Sequence, residues 1–274
     1  AIPLGETPDR KDAKHIFGLD LTPLGLEDFR SLFAVPVIPK IVTLADGVGV
    51  YSDIPVRETI AGMAGTNLAK GIDQAKKLFA AGNLVNTVVL RGATFGNAFA
   101  LRSHSGVMII QGIDIFLEMA KEHGWLVAFH ESMHLVDNVY GLSAHPAFAA
   151  QFKDFPNERN ARRTPGNALP SEEDAAIPHP FMAAISEQNW YGFGWFGHPG
   201  DNEREFLVSL CASLLNPDIK ARFFALSREN QVNYIASLRI LARVIKEKIP
   251  NGAGLPVYLK AVNTIAYLET APGR

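Results

Sequence analysis

Cysteine is nearly absent. Cys211 stands alone among 274 residues, which excludes an intrachain disulfide and a thiolate-rich zinc ribbon, since both need sulfur in numbers. A metal held by this chain must rest on nitrogen and oxygen. No apolar run approaches the roughly 20 residues that span a bilayer, so no membrane partner is expected. Neither sign of charge dominates: 26 Lys and Arg face 28 Asp and Glu, a formal net charge of -2. That balance lacks the basic field that would recruit nucleic acid or an anionic membrane. The start, AIPLGETPDRKD, has neither an initiator methionine nor an apolar signal-peptide core, which suggests processing or trimming; a mature secreted, extracellular protein is the expectation, and a trimmed cytosolic chain would look the same. Internal repeats and low-complexity tracts are also missing.

What is present is an ordinary globular balance, 47% hydrophobic and 20% charged, in a chain long enough to bury a sizeable core. The expected class is α+β, a single catalytic domain over 1–274. Its N-terminal α/β lobe (1–150) would carry a small mixed sheet, and its C-terminal lobe (151–274) would be mostly helical. KIVTLAD, VGVY, NTVVLRG and GVMIIQG read as strands, being apolar or β-branched runs closed by turn residues. A long helix is expected from Val56 to Gly82, then IDIFLEMAKEH stopped by Gly124 and WLVAFHESMHLVDNVYG stopped by Gly141. The Pro-, Asn- and Arg-rich stretch from Asp154 to Pro180 predicts a long exposed connection. Beyond Asp201 the pattern is helical, with Asn216 a candidate cap and a last helix after Pro256.

His130 and His134 in FHESMH stand four residues apart. On a helix that spacing stacks two imidazoles on one face, within reach of one zinc ion. Glu131 lies beside the first of them. Its carboxylate can take a proton from water held in the open coordination position and deliver it to a leaving amine, while zinc acidifies that water and polarises the carbonyl under attack. Trp125, Leu126, Val127, Phe129, Leu135 and Val136 make the helix strongly apolar, and polar groups buried there are costly unless paired or bound to metal. Asp137 falls near the same face, three residues after His134. It is a candidate to hold the outer nitrogen of a ligand histidine.

A catalytic zinc needs a third protein ligand. The position six after His134, where a metzincin places a histidine, is Tyr140, and no GTxD signature of the deuterolysin type follows. A glutamate from a later helix remains, and GDNEREFLVSL offers Glu203 and Glu205. Glu203 shares a face with Phe206, Leu207, Leu210 and Leu214, whereas Glu205 shares one with Val208, Ser209 and Ala212. Small neighbours allow helices to approach closely, which favours Glu205 without excluding Glu203.

These residues resemble the gluzincin peptidases of the anthrax lethal factor type, which include the pro-pro endopeptidases. The likeness lies in FHESMHLVDNVYGLSAHPAF, an HExxHxxD pattern followed by a short turn and a helix start. It returns in NEREF, where the family places its zinc-binding glutamate just before an aromatic residue. It covers about Leu126 to Leu215. The resemblance implies a zincin-like fold with Zn2+ as cofactor, Glu205 joining His130 and His134 as ligands, and Glu131 as catalytic base. The family's tyrosine seven residues before the ligand glutamate, which hydrogen-bonds the oxyanion, is His198 here. His198 is therefore the expected oxyanion donor, with Tyr191 the other candidate.

The resemblance further implies a protein or peptide substrate bound as an extended strand along a sheet edge, for which GVMIIQG is the candidate. Trp190, Tyr191, Phe193, Trp195 and Phe196 are expected to wall one side of the cleft, and a monomer is expected. The alternative to a zinc endopeptidase is a catalytically inactive, toxin-like or binding module that keeps the fold and the metal site, a reading prompted by the missing tyrosine.

Overall fold

The computed structural model describes residues 38–43, 49–52, 58–81, 85, 87–91, 97–100, 107–111, 125–155, 179–191 and 199–271. The chain divides into two compact units, Ala1–Tyr140 and Gly141–Arg274. Among the described residues no helix is long and apolar enough to cross a membrane. The expected helix IDIFLEMAKEH and most of the 154–180 connection lie outside the described residues.

In the first unit the strand segments are β1 (Ile38–Thr43), β2 (Gly49–Ser52), β3 (Thr87–Arg91), β4 (Asn97–Ala100) and β5 (Val107–Gln111). Their backbones pair in the order β1-β2-β3-β5-β4. The three central strands are parallel, with Tyr51 opposite Val89 and Val89 opposite Ile109. The outer strands β1 and β4 run antiparallel to their neighbours. Between β2 and β3 lies helix α1 (Glu58–Phe79), and the unit ends in α2 (Trp125–Tyr140).

The α+β class expected from the sequence is corrected by this content. Apart from the short strand segments, 78% of the described residues are helical, and the residues that bury the core lie mainly on helices. Strands of four to six residues can be recognised as β-branched runs, but it is the elements that bury the core that set the class.

α1 packs along α2, and Gly71 sets how closely. A Cβ at Gly71 would meet the Trp125 carbonyl oxygen and lie 2.6 Å from Ala128 Cβ and 2.7 Å from Phe129 N. The glycine that lowers helix propensity is thus the one that lets the two backbones touch. Gly71→Ala is expected to destabilise the protein by about 1–3 kcal/mol, because the obstacle is α2 backbone that cannot turn aside. Urea unfolding checks this; helix propensity alone favours alanine by about 1 kcal/mol, so a more stable variant would show that the helices are not this close.

α1 stops two residues earlier than Gly82 predicts. Ala80 adopts the left-handed conformation, φ 47°, and the Ala81 N–H donates to the Lys76 carbonyl at 3.2 Å, closing the last turn. Ala80 is exposed, so Ala80→Gly relieves the strain without touching the core. It is expected to stabilise by about 0.5–1 kcal/mol, read as a raised melting temperature. α2 ends as expected, at Gly141 with φ 60°.

The second unit holds α3 (Pro146–Lys153), α4 (Pro180–Ile185), α5 (Glu187–Tyr191), α6 (Glu203–Ser213), α7 (Ile219–Ala225), α8 (Arg228–Lys248) and α9 (Pro256–Thr270). Phe148, Phe155, Phe181 and Phe206 form an aromatic core with ring centroids 4.7–6.3 Å apart. Asn216 does not cap α7 as its sequence suggests. Its Oδ1 accepts from Asp218 N at 2.7 Å and its amide donates to the Trp190 carbonyl, an Asx turn that leaves Asp218 in the cap position.

Candidate metal centre

α2 is rich in apolar residues, and every residue from Trp125 to Asp137 is buried. A helix of that kind belongs in a core, and it carries four ionisable groups, His130, Glu131, His134 and Asp137, within eight residues. His130, Glu131 and His134 are 3%, 4% and 4% exposed. The helix stacks the two imidazoles edge to face, centroids 4.8 Å apart at 82°, and brings His130 Nε2 to 3.1 Å from His134 Nε2. Two nitrogens each about 2.0–2.1 Å from one tetrahedral ion stand roughly 3.3 Å apart. The pair is therefore within a few tenths of an ångström of a chelating geometry.

Glu205 lies in the first turn of α6 and is buried, whereas Glu203 is partly exposed. The turn is built by Asn202, whose Oδ1 accepts from the backbone N–H of Arg204 at 3.0 Å and of Glu205 at 3.2 Å. A carboxylate at this position is favoured by the helix dipole. His130 and His134 lie in the first unit and Glu205 in the second. Two imidazole nitrogens and one carboxylate oxygen are the donor set of an open catalytic zinc site. Asp137 is buried on α2, 5% exposed.

The remaining candidates fall less uniformly. Tyr191 donates its hydroxyl to the Ala212 carbonyl at 2.9 Å. Burial, then Glu187 and Tyr234, push it well above the usual phenol range, so it stays protonated. Trp190, expected at the cleft wall, is 2% exposed and stacks on Tyr234, centroids 5.1 Å apart; it is a core residue. His198, Phe193, Trp195 and Phe196 lie outside the described residues. GVMIIQG is not a sheet edge: β5 lies between β3 and β4. The strand that covers it, NAFA, is too short and too rich in alanine to stand out by composition.

Sequence reasoning also missed two histidine caps and a buried acid. His145 and His179 each precede a proline, and each accepts a backbone N–H through Nδ1, from Ala147 and Phe181, at 3.1 Å. The repeated His-Pro pair is the signal that could have found them, because proline is favoured at the first helical position. Glu187, 1% exposed, accepts from Ser209 Oγ at 2.8 Å; no local pattern distinguishes it from an exposed first-turn glutamate.

Comparison with protein-family models, curated proteins and solved structures finds no match to this chain.

Proposed function

We propose that the chain is a zinc-dependent endopeptidase of the gluzincin type, with His130, His134 and Glu205 as ligands and Glu131 as general base. The observation that carries this reading is the approach of two buried imidazole nitrogens to 3.1 Å on one turn of α2; Glu205, buried in the first turn of α6, is the third ligand proposed for them. Bound zinc supplies Lewis acidity, polarising a scissile carbonyl and acidifying water. The residues supply the rest. Each imidazole offers a ring-nitrogen lone pair to the ion. Glu131, next to His130 and buried with it, receives the proton of the attacking water and returns it to the leaving amine.

An extended peptide needs a sheet edge with unpaired backbone groups. Among the described strands the edges are β1 and β4, and β4 packs against α2, so we assign substrate alignment to β4. His198 is the proposed oxyanion donor. A second reading, a metal-binding module without catalysis, draws on the engagement of the Tyr191 hydroxyl with Ala212.

Zinc content after exhaustive dialysis and peptide cleavage with and without 1,10-phenanthroline test the proposal together. One zinc per chain is expected, with cleavage lost to chelator and restored by added zinc. Zinc without cleavage of any peptide in a diverse library favours the module. A chain that takes up no zinc removes both readings.

A further inference from the structure

Hydrogen bonds between fully buried polar groups hold their partners in one arrangement, because leaving either group unmade is costly. One such bond, and a second that is partly buried, run along one face of α6. Glu205, Ser209 and Ala212 follow one another at i, i+4 and i+7 on that helix. The short helix α5 is fastened to this face at both ends. Ser209 Oγ donates to Glu187 Oε2 at 2.8 Å, and the Tyr191 hydroxyl donates to the Ala212 carbonyl at 2.9 Å.

α5 is itself anchored from behind. Trp190 stacks on Tyr234 of α8, Asn216 donates to the Trp190 carbonyl, and the Tyr234 and Ser213 hydroxyls share a hydrogen bond of 2.8 Å. Glu187 and Ser209 are each 1% exposed, and neither is among the proposed ligands.

We infer that Glu187 is a positioning residue for Glu205: by accepting from Ser209 it fixes the turn of α6 next to the ligand, and with it the Glu205 carboxylate. The inference rests on the reading of Glu205 as a metal ligand. Asn202 holds the other side of the same residue, three positions earlier, through the N–H groups of Arg204 and Glu205. Glu205 thus lies between a cap and a brace. A ligand ordered before the metal arrives has less freedom to lose on binding, so the brace raises metal affinity without touching the ion.

The test is a zinc titration of the full chain against a chromophoric chelator, accompanied by the visible spectrum of the Co2+ form. The variants are Ser209→Ala, Glu187→Ala, Glu187→Gln and Glu205→Ala, plus Ser209→Ala combined with Glu205→Ala. Ser209→Ala and Glu187→Ala are expected to weaken zinc binding by roughly 10–100-fold and to alter the Co2+ spectrum. Glu187→Gln keeps an acceptor for the Ser209 hydroxyl and is expected to stay close to wild type.

In the Glu205→Ala background, Ser209→Ala is expected to cost nothing further, since the route through Glu205 is gone. Wild-type affinity in Ser209→Ala, or a loss of equal size in the Glu205→Ala background, overturns the inference; the latter marks general loosening of the fold. Ser209→Ala removes a single oxygen, so the test stands on it if Glu187→Ala does not fold. A wild type that binds zinc no more tightly than His130→Ala instead removes the metal reading, and this inference with it.

Discussion

Glu131→Gln is expected to lower kcat by about 10²–10⁴-fold, the range contributed by a positioned general acid–base group, while zinc content stays at the wild-type level. The two halves of that expectation have separate physical sources. Glutamine nearly matches the shape of Glu131 and so preserves the packing of a residue only 4% exposed. It offers no basic oxygen to receive a proton. Glu131 is also not among the proposed ligands His130, His134 and Glu205, so no ligand is lost with it. In free energy the drop corresponds to about 2.7–5.5 kcal/mol of barrier. Quenched-fluorescent peptides and elemental zinc analysis on the same preparations check it, and a fully active Glu131→Gln enzyme would refute Glu131 as the base.

The part of the site legible in the sequence is the part set by helical spacing. His130 and His134 come together because four residues make nearly one turn, and every neighbour in α2 agrees with burial. Gly141 ends that helix where its sequence says, at a positive φ only glycine adopts freely. At the start of α6 the phase favours Glu205 without excluding Glu203, and of the two Glu205 is the buried one.

What could not be read depends on tertiary context. Nothing in the α1 sequence distinguishes Gly71, which touches α2, from a glycine that merely weakens a helix. Nothing local prefers Ala80 over Gly82 as the stop, since a left-handed alanine is tolerated only where the rest of the turn holds it. Trp190 has the composition of a cleft wall, but Tyr234, 44 positions downstream, buries it. GVMIIQG fits an edge or an interior strand equally well, and only its pairing with a weakly patterned β4 decides between them. The same limit explains the misjudged fold class. Strand-forming runs announce themselves, but how much of the packed body is helical depends on contacts that a one-dimensional pattern does not contain.

His134→Ala is expected to abolish the stabilisation of the protein by zinc. A ligand that binds only the native state stabilises it by RT ln(1 + [L]/Kd), about 4.1 kcal/mol at a free concentration a thousand times Kd. For a chain of this size each kcal/mol moves the melting temperature by about 2 °C, so zinc should raise the wild-type value by about 8 °C. Removing one of two imidazoles whose nitrogens lie 3.1 Å apart leaves no chelating pair on α2, and the shift should vanish.

The substitution also opens a cavity in a buried helix, which lowers stability whether or not metal is present. The informative quantity is therefore the difference between melting with zinc and melting with chelator, in which the cavity cancels. Glu131→Gln provides the contrast, since it should keep the full shift while losing turnover. An equal zinc-dependent shift in His134→Ala would mean that the ion binds elsewhere on the chain. The 3.1 Å approach of the two imidazoles would then be a hydrogen bond in a core helix, and Glu131 would have no reacting water beside it.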